Sequence, residues 1–190
     1  GEVLRDQAGL GTADFHDRHL ERQLLNFTSD GMYVDPNVPM VYDAFPRFFL
    51  ETILQQGYRG KHRDAINVLL ERGELMSLLM QSPTGVLPTG GRTKQHTWGD
   101  IQQVIIFEIA ARRFASRGDY VYAKAFKRGA HLAFASTLRW LRPSGEFQII
   151  KNHIQPEHRH GYEPYSHHSQ YNLLPATMLA LAADFADESI

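Results

Sequence analysis

The chain contains no cysteine, which excludes disulfide bonds and thiolate chemistry. It also lacks a basic excess, because 20 Lys and Arg residues stand against 21 Asp and Glu residues and the formal net charge is -1. We therefore expect no nucleic-acid partner, since binding to a phosphate backbone depends on clustered positive charge. No apolar run reaches the ~18 residues of a membrane span, so we expect no membrane partner. A hydrophobic content of 43% is ordinary for a globular protein.

A short unit with a glycine occurs three times along the chain. The copies are Ser29-Asp30-Gly31, Pro83-Thr84-Gly85 and Pro143-Ser144-Gly145. Each is followed by a loop rich in Tyr, His, Arg and Asp, and then by an apolar helix. A repeated unit of a turn, a loop and a long helix is typical of stacked helical hairpins. If the hairpins stack in the same orientation, the three loops open on one face of the protein. That face is the candidate active site.

Apolar periodicity predicts six helices and three long loops. The helices cover residues 15–27, 45–56, 61–81, 100–117, 119–141 and 170–186, and the loops cover 28–44, 82–99 and 142–169. Pro46 suits the first turn of the second helix, Asp100 suits the N-cap of the fourth, and 147–150 suits a short extended segment. We expect the helices at 101–117 and 171–186 to be more buried than the one-sided helix at 120–141.

Buried helices that alternate with one-sided helices predict an inner and an outer layer, as in an (α/α) toroid. We interpret residues 1–190 as one all-α domain of helical hairpin repeats that forms about half of an (α/α)6-type toroid. A complete ring would need roughly 330–360 residues at this repeat length, which suggests a fragment of a longer toroid. A compact six-helix bundle or an open solenoid is the alternative. We expect self-association or a missing toroid segment to cover the apolar flanks of half a ring.

The second loop combines side chains that suit an active site on a sugar. His96 is a candidate general acid or base, and Asp100 would fix its tautomer if both lay on one helical face. Arg92 would bind a substrate carboxylate through a bidentate ion pair. Trp98 has a flat apolar surface on which a sugar ring could stack. We also assign Gln95 and Asp100 to substrate binding. The alternative is an N-cap aspartate, a surface histidine and a packing tryptophan.

The third loop is the densest in histidine and tyrosine. Its catalytic candidates are Tyr165, His167 and Glu163. An imidazole and a phenol that meet at one substrate carbon can remove its proton and protonate the leaving group. Its substrate-binding candidates are His160, Tyr162, Gln170 and Asn172. A solvated, titrating loop is the alternative.

A metal site is a further alternative for the third loop. His158, His160, His167 and His168 are all potential zinc ligands. The chain lacks a His-Glu-x-x-His or similar spacing, so we predict no metal.

The first loop contributes three further substrate-binding candidates, Tyr42, Asp43 and Arg47. The spacing of Asp43 and Arg47 is equally typical of a structural ion pair within a helix. Both interpretations stay open at this point.

Several short motifs together resemble an uncharacterised family of bacterial and fungal proteins. The motifs are Asp30-Gly31-x-Tyr33-x-Asp35, Tyr42-Asp43, Gly91-Arg92-Thr93 and Tyr165-Ser166-x-x-Ser169-x-Tyr171-Asn172. That family is related in architecture to heparinase II/III-like and alginate-lyase-like (α/α) toroids, and the resemblance spans roughly residues 26–187. In such lyases a Tyr and a His act as acid and base beside a residue that neutralises the uronate. The resemblance implies these roles for His96, Tyr165, His167 and Asn172.

The expected function is therefore a polysaccharide lyase that acts by β-elimination on uronic-acid-containing oligo- or polysaccharides. This reaction needs no cofactor. The first alternative is a glycoside hydrolase with Glu163 and either Asp100 or Asp43 as its two carboxylates. The second is a non-catalytic sugar-binding helical domain.

Overall fold

The structure, a computed structural model, describes residues 2–11, 15–35, 40–88, 95–151, 158 and 168–190. Over these ranges the protein is all-α, which confirms the predicted class, while the half-toroid arrangement remains a prediction. The helices are α1 (Glu2–Gln7), α2 (Phe15–Leu24), α3 (Met40–Gln55), α4 (Arg63–Met80), α5 (Trp98–Ser116), α6 (Tyr120–Leu138) and α7 (His168–Phe185). None of these described helices combines the length and apolar character required to cross a bilayer.

Helix α5 forms the centre of the hydrophobic core. Ile101, Ile105, Ile106 and Phe107 are fully buried and point in different directions around the helix. α5 packs against α3, α6 and α7. The all-round apolar sequence of this helix thus correctly predicted its burial.

Helix α6 buries one face and exposes the other, as its pattern predicted. Ala123, Phe126 and Ala130 join the α5 cluster, whereas Val121 is 80% exposed. The spacing of the buried residues brings them to one side of the helix. Small alanine side chains on this face allow α6 to approach α5 closely.

Helix α7 is more exposed than predicted. Met178 and Ala182 pack into the α5 cluster, but Leu173 is 69% exposed. The prediction that α7 is more buried than α6 is wrong because, among the described elements, α7 packs mainly on α5. Leu179, Leu181 and Phe185 are partly buried against the same cluster, whereas Leu173 and Leu174 are exposed.

The three glycine units form the same backbone turn. In each unit the glycine N–H donates to the carbonyl three residues earlier, and that residue's N–H donates to the carbonyl just after the glycine, at 2.8–3.1 Å. Gly31, Gly85 and Gly145 have φ values of +78°, +85° and +87°. Glycine adopts this left-handed conformation without the steric cost that a Cβ brings. The repeat seen in the sequence is therefore also a structural repeat at these turns.

Two of these turns pack closely against a helix. A Cβ on Gly31 would overlap the Leu69 carbonyl oxygen of α4, and a Cβ on Gly85 would overlap the Leu132 carbonyl oxygen of α6. Around Gly145 a Cβ would meet no atom within 4 Å. Gly73 of α4 permits this close approach of Gly31, because a Cβ on Gly73 would overlap the Gly31 carbonyl oxygen.

Two helices begin earlier than predicted. α3 begins at Met40 rather than Phe45, so Pro46 lies inside the helix. α5 begins at Trp98 after an N-cap at Thr97, so Asp100 lies in the first turn and does not cap it. The predicted extended segment appears only as two isolated bridges, Leu141 with Phe147 and His96 with Ile150. The short helix α1 was not predicted.

A buried charge cluster ties α3, α4 and α5 together. Arg113 donates to both carboxylate oxygens of Glu51 and of Glu74 at 2.6–2.9 Å. Both glutamates are fully buried. Burial and the neighbouring charge of Glu51 raise the pKa of Glu74 well above its usual range, while Arg113 acts in the opposite direction. Protonation of Glu74 would change the net charge of this group of two carboxyls and one guanidinium from -1 to zero.

Candidate active site

A cleft of about 410 Å³ opens where α3, α5 and α7 meet. Its walls come from the predicted first loop, the predicted second loop and the two predicted helices that begin at 45 and 170. The convergence of all three predicted loops stays a prediction, because most of the third loop lies outside the described residues. The lining residues are Tyr42, Phe45, His96, Trp98, Gln170, Tyr171, Leu173, Leu174 and Thr177. Four of the residues singled out from the sequence therefore share one cavity: Tyr42, His96, Trp98 and Gln170.

Aromatic rings form a continuous wall in this cleft. The Trp98 ring lies edge-to-face with Tyr42 and Phe45, with centroids 5.7 and 5.4 Å apart. His96 lies 5.9 Å from Trp98 and 5.7 Å from Tyr171 by the same measure. Edge-to-face packing fixes the ring orientations, so the wall is preformed for a flat, partly apolar ligand.

The backbone around His96 is held by the segment that follows α6. Thr97 N–H donates to the Ile149 carbonyl at 3.0 Å, and Lys151 N–H donates to the Gln95 carbonyl at 3.1 Å. Gln95 has φ +64°, a left-handed conformation that costs a non-glycine residue energy. Such strain beside a candidate catalytic residue is typical of functional sites, and Gln95 itself contributes backbone support rather than a cleft wall.

Asp100 is buried and does not line the cleft. Lys151 Nζ lies 3.2 Å from its Oδ2, and Ser136 donates to the same oxygen at 3.0 Å. Burial raises the pKa of Asp100, and Lys151 opposes that shift. The predicted roles as N-cap, imidazole partner and substrate-binding group are replaced by a structural one, because helix α5 starts earlier and Lys151 reaches this carboxylate.

Asp43 and Arg47 form the structural ion pair that was one of their two interpretations. Arg47 Nε donates to Asp43 Oδ2 at 3.0 Å, and its guanidinium also donates to Ser77 of α4. Asp43 accepts the Tyr33 N–H as well. Both side chains are buried. They join the first turn to α3 and α4 and do not line the cleft.

The two described amides of the third region have different positions. Gln170 lines the cleft and is exposed. The Asn172 side chain accepts the Phe147 N–H and donates to the Phe147 carbonyl, which ties α7 to the turn before it. Asn172 thus supports the fold at this point, and Gln170 is the amide that faces the cavity.

No protein-family model, curated protein or solved structure matches this chain. The family resemblance in the motifs therefore stays an expectation, and the site is interpreted from its own geometry.

The other predicted site residues lie outside the described ranges. They are Arg92, His160, Tyr162, Glu163, Tyr165 and His167. The predicted zinc alternative also depends on two of these histidines and stays untested.

Five lining residues were not assigned to the site from the sequence: Phe45, Tyr171, Leu173, Leu174 and Thr177. Tyr171 is part of the family-like motif, so the motif offered a signal for it. The leucines had the pattern of a buried helix face. They line the cleft because α7 packs mainly on α5.

A second group of ionisable residues lies near a different cavity, between α5, α6 and α7. Ligand atoms of Glu108, His131 and Glu188 lie within 4.8 Å of one another. The Lys127 ammonium already binds both glutamates, at 2.9 Å from Glu108 and 2.7 Å from Glu188. Lys127 therefore supplies the positive charge that these carboxylates require, and the group functions as an ion-pair network.

Proposed function

We propose that this protein is a polysaccharide lyase that cleaves uronic-acid-containing glycans by β-elimination in the cleft. The observation that carries the proposal is an imidazole and a phenol, His96 and Tyr171, beside the aromatic surface of Trp98. Aromatic surfaces bind the C–H faces of sugar rings, and imidazole and phenol groups transfer protons near neutral pH when placed together. Tyr165 lies outside the described residues, so the proposal uses Tyr171, a phenol that lines the cleft.

The reaction requires two proton transfers and no change of oxidation state. A base removes the proton from C5, the C4–O4 bond breaks, and a C4–C5 double bond forms. An acid protonates the departing O4 oxygen. His96 and Tyr171 are the described groups of the right chemistry for these steps, and water is not consumed.

The hydrolase alternative is less well supported by the described residues. It needs two carboxyl groups on opposite sides of the bond that breaks. Asp43 and Asp100 are both buried in ion pairs away from the cleft. We therefore favour elimination over hydrolysis.

The test is incubation with a panel of uronate polymers while near-ultraviolet absorbance is recorded, because the new double bond absorbs there. His96→Gln and Tyr171→Phe should each lower the rate by about 10²-fold or more. The control Tyr120→Phe changes an exposed tyrosine of α6 outside the cleft and should retain activity. Circular dichroism should show an unchanged helical signal in all three variants.

Two outcomes would contradict the proposal. New reducing ends without the absorbance would indicate hydrolysis. Binding of sugars without any product across the panel would indicate a non-catalytic binding domain.

A further inference from the structure

The segment 147–151, which follows α6, is hydrogen-bonded to two separate parts of the chain that line the cleft. The side chains of Phe147, Ile149, Ile150 and Lys151 are all buried. Buried side chains are closely packed and have little room to shift. The segment therefore gives both of its partners a fixed reference, and these partners carry the two proposed catalytic groups.

The His96 side of the cleft is bonded to the C-terminal part of the segment. Backbone hydrogen bonds lie on both sides of His96, which pairs with Ile150 in an antiparallel bridge. The Thr97 hydroxyl adds a hydrogen bond to the Gln148 carbonyl at 2.5 Å. The position of the His96 backbone therefore depends on that of the segment.

The Tyr171 side of the cleft is bonded to the N-terminal end of the same segment. The Asn172 side chain accepts the Phe147 N–H at 2.5 Å and donates to the Phe147 carbonyl at 3.4 Å. An amide side chain suits this place because it both accepts and donates. Asn172 directly follows Tyr171, so these bonds tie the first turn of α7 to the segment.

We infer that Asn172 is a positioning residue for the elimination, because it ties the Tyr171 phenol through the segment to the His96 imidazole. This inference rests on the proposed function. The two rings have centroids 5.7 Å apart, although they lie in distant parts of the sequence. A displacement of about 1 Å between reacting groups can lower a rate by ~10²-fold. Asn172 thus acts on the geometry of the two groups, whereas the sequence predicted that it neutralises the substrate.

The first test is the variant Asn172→Leu, in which a side chain of similar size removes both bonds to Phe147. It should lower kcat on a uronate polymer by about ten-fold or more. It should leave KM within about two-fold, because the aromatic wall still binds the sugar. Asn172→Asp keeps an acceptor for the Phe147 N–H, so it should retain more activity than Asn172→Leu.

Asn67→Leu is the matched control. Asn67 of α4 also donates to a backbone carbonyl, that of Arg63, but within its own helix and away from the cleft. The same substitution therefore removes a similar hydrogen bond at a site unrelated to the two rings. This variant should keep the kcat and KM of the unmodified protein.

A measurement without substrate tests the geometry by itself. The nuclear Overhauser cross-peak between the His96 and Tyr171 ring protons, assigned by its loss in His96→Gln, should weaken in Asn172→Leu and persist in Asn67→Leu. An unchanged cross-peak in Asn172→Leu would overturn the inference, and a lower kcat beside it would show that Asn172 acts on the substrate directly. If the unmodified protein cleaves no polymer, the proposed function fails, and a weakened cross-peak would still establish the positioning.

Thr97→Val supplies a second test at the other end of the segment, which decides the matter if Asn172→Leu does not fold. Valine has nearly the shape of threonine but loses the hydrogen bond to the Gln148 carbonyl. The Thr97 side chain makes no capping hydrogen bond to α5, so this change leaves the helix start intact. The ring cross-peak should weaken in this variant as well. A folded Thr97→Val protein with an unchanged cross-peak would count against the segment as the link between the rings.

Discussion

Replacing the turn glycines by alanine should cost more folding stability at Gly31 and Gly85 than at Gly145. All three glycines have similar positive φ values, so each substitution shares the conformational cost of about 1–2 kcal/mol for an L-residue. The effect of alanine on the unfolded chain is also common to all three. These shared terms cancel when the variants are compared.

The difference comes from packing. At Gly31 and Gly85 the new methyl group overlaps backbone atoms of α4 and α6, whereas at Gly145 it meets nothing within 4 Å. Backbone atoms cannot rotate away as a side-chain end does, so overpacking should add roughly 1–3 kcal/mol at the first two sites. For a chain of this length, each kcal/mol shifts the Tm by about 2–4 °C.

The assay is urea unfolding followed by far-ultraviolet circular dichroism, with thermal unfolding as a second measure. Gly118→Ala is the control for the φ term alone, because Gly118 has φ +78° and open space around it. It should match Gly145→Ala. If Gly145→Ala proved as destabilising as Gly31→Ala, the argument that helix packing separates the turns would be refuted.

Two further predictions concern the buried charges. Because the folded pKa of Glu74 is raised, the folded state holds a proton that the unfolded state loses above about 4.5, so this group should make stability fall as pH rises. Glu74→Gln should flatten that fall in urea unfolding series run from mildly acidic to mildly basic pH, and an equally steep fall in the variant would contradict the assignment. Lys151→Met should destabilise by about 3–5 kcal/mol through the unpaired Asp100 carboxylate, and the double change Asp100→Asn with Lys151→Met should recover much of this loss. Equal destabilisation of the single and double variants by urea unfolding would exclude a charge effect.

The class of fold and the three turns could be predicted from the sequence because both depend on local patterns. A helix such as α5 is apolar on all sides, and burial follows directly from that composition. A left-handed turn needs glycine, so the repeated glycines mark the turns. The residues of the cleft were partly predictable for the same reason, since His96 and Trp98 lie in a loop of unusual composition.

Which polar residues face the cleft was decided only by the tertiary structure. Asp43 and Asp100 were both candidates for the site. The spacing of Asp43 and Arg47 already offered an ion pair, but nothing in the sequence indicated Ser77 as a partner of Arg47. Nor did it indicate that Lys151 and Ser136 bind Asp100. Conversely, Leu173 and Tyr171 reach the cleft because of how α7 packs. A buried carboxylate is stable only with a partner close in space, and the sequence order does not show which distant residue provides it.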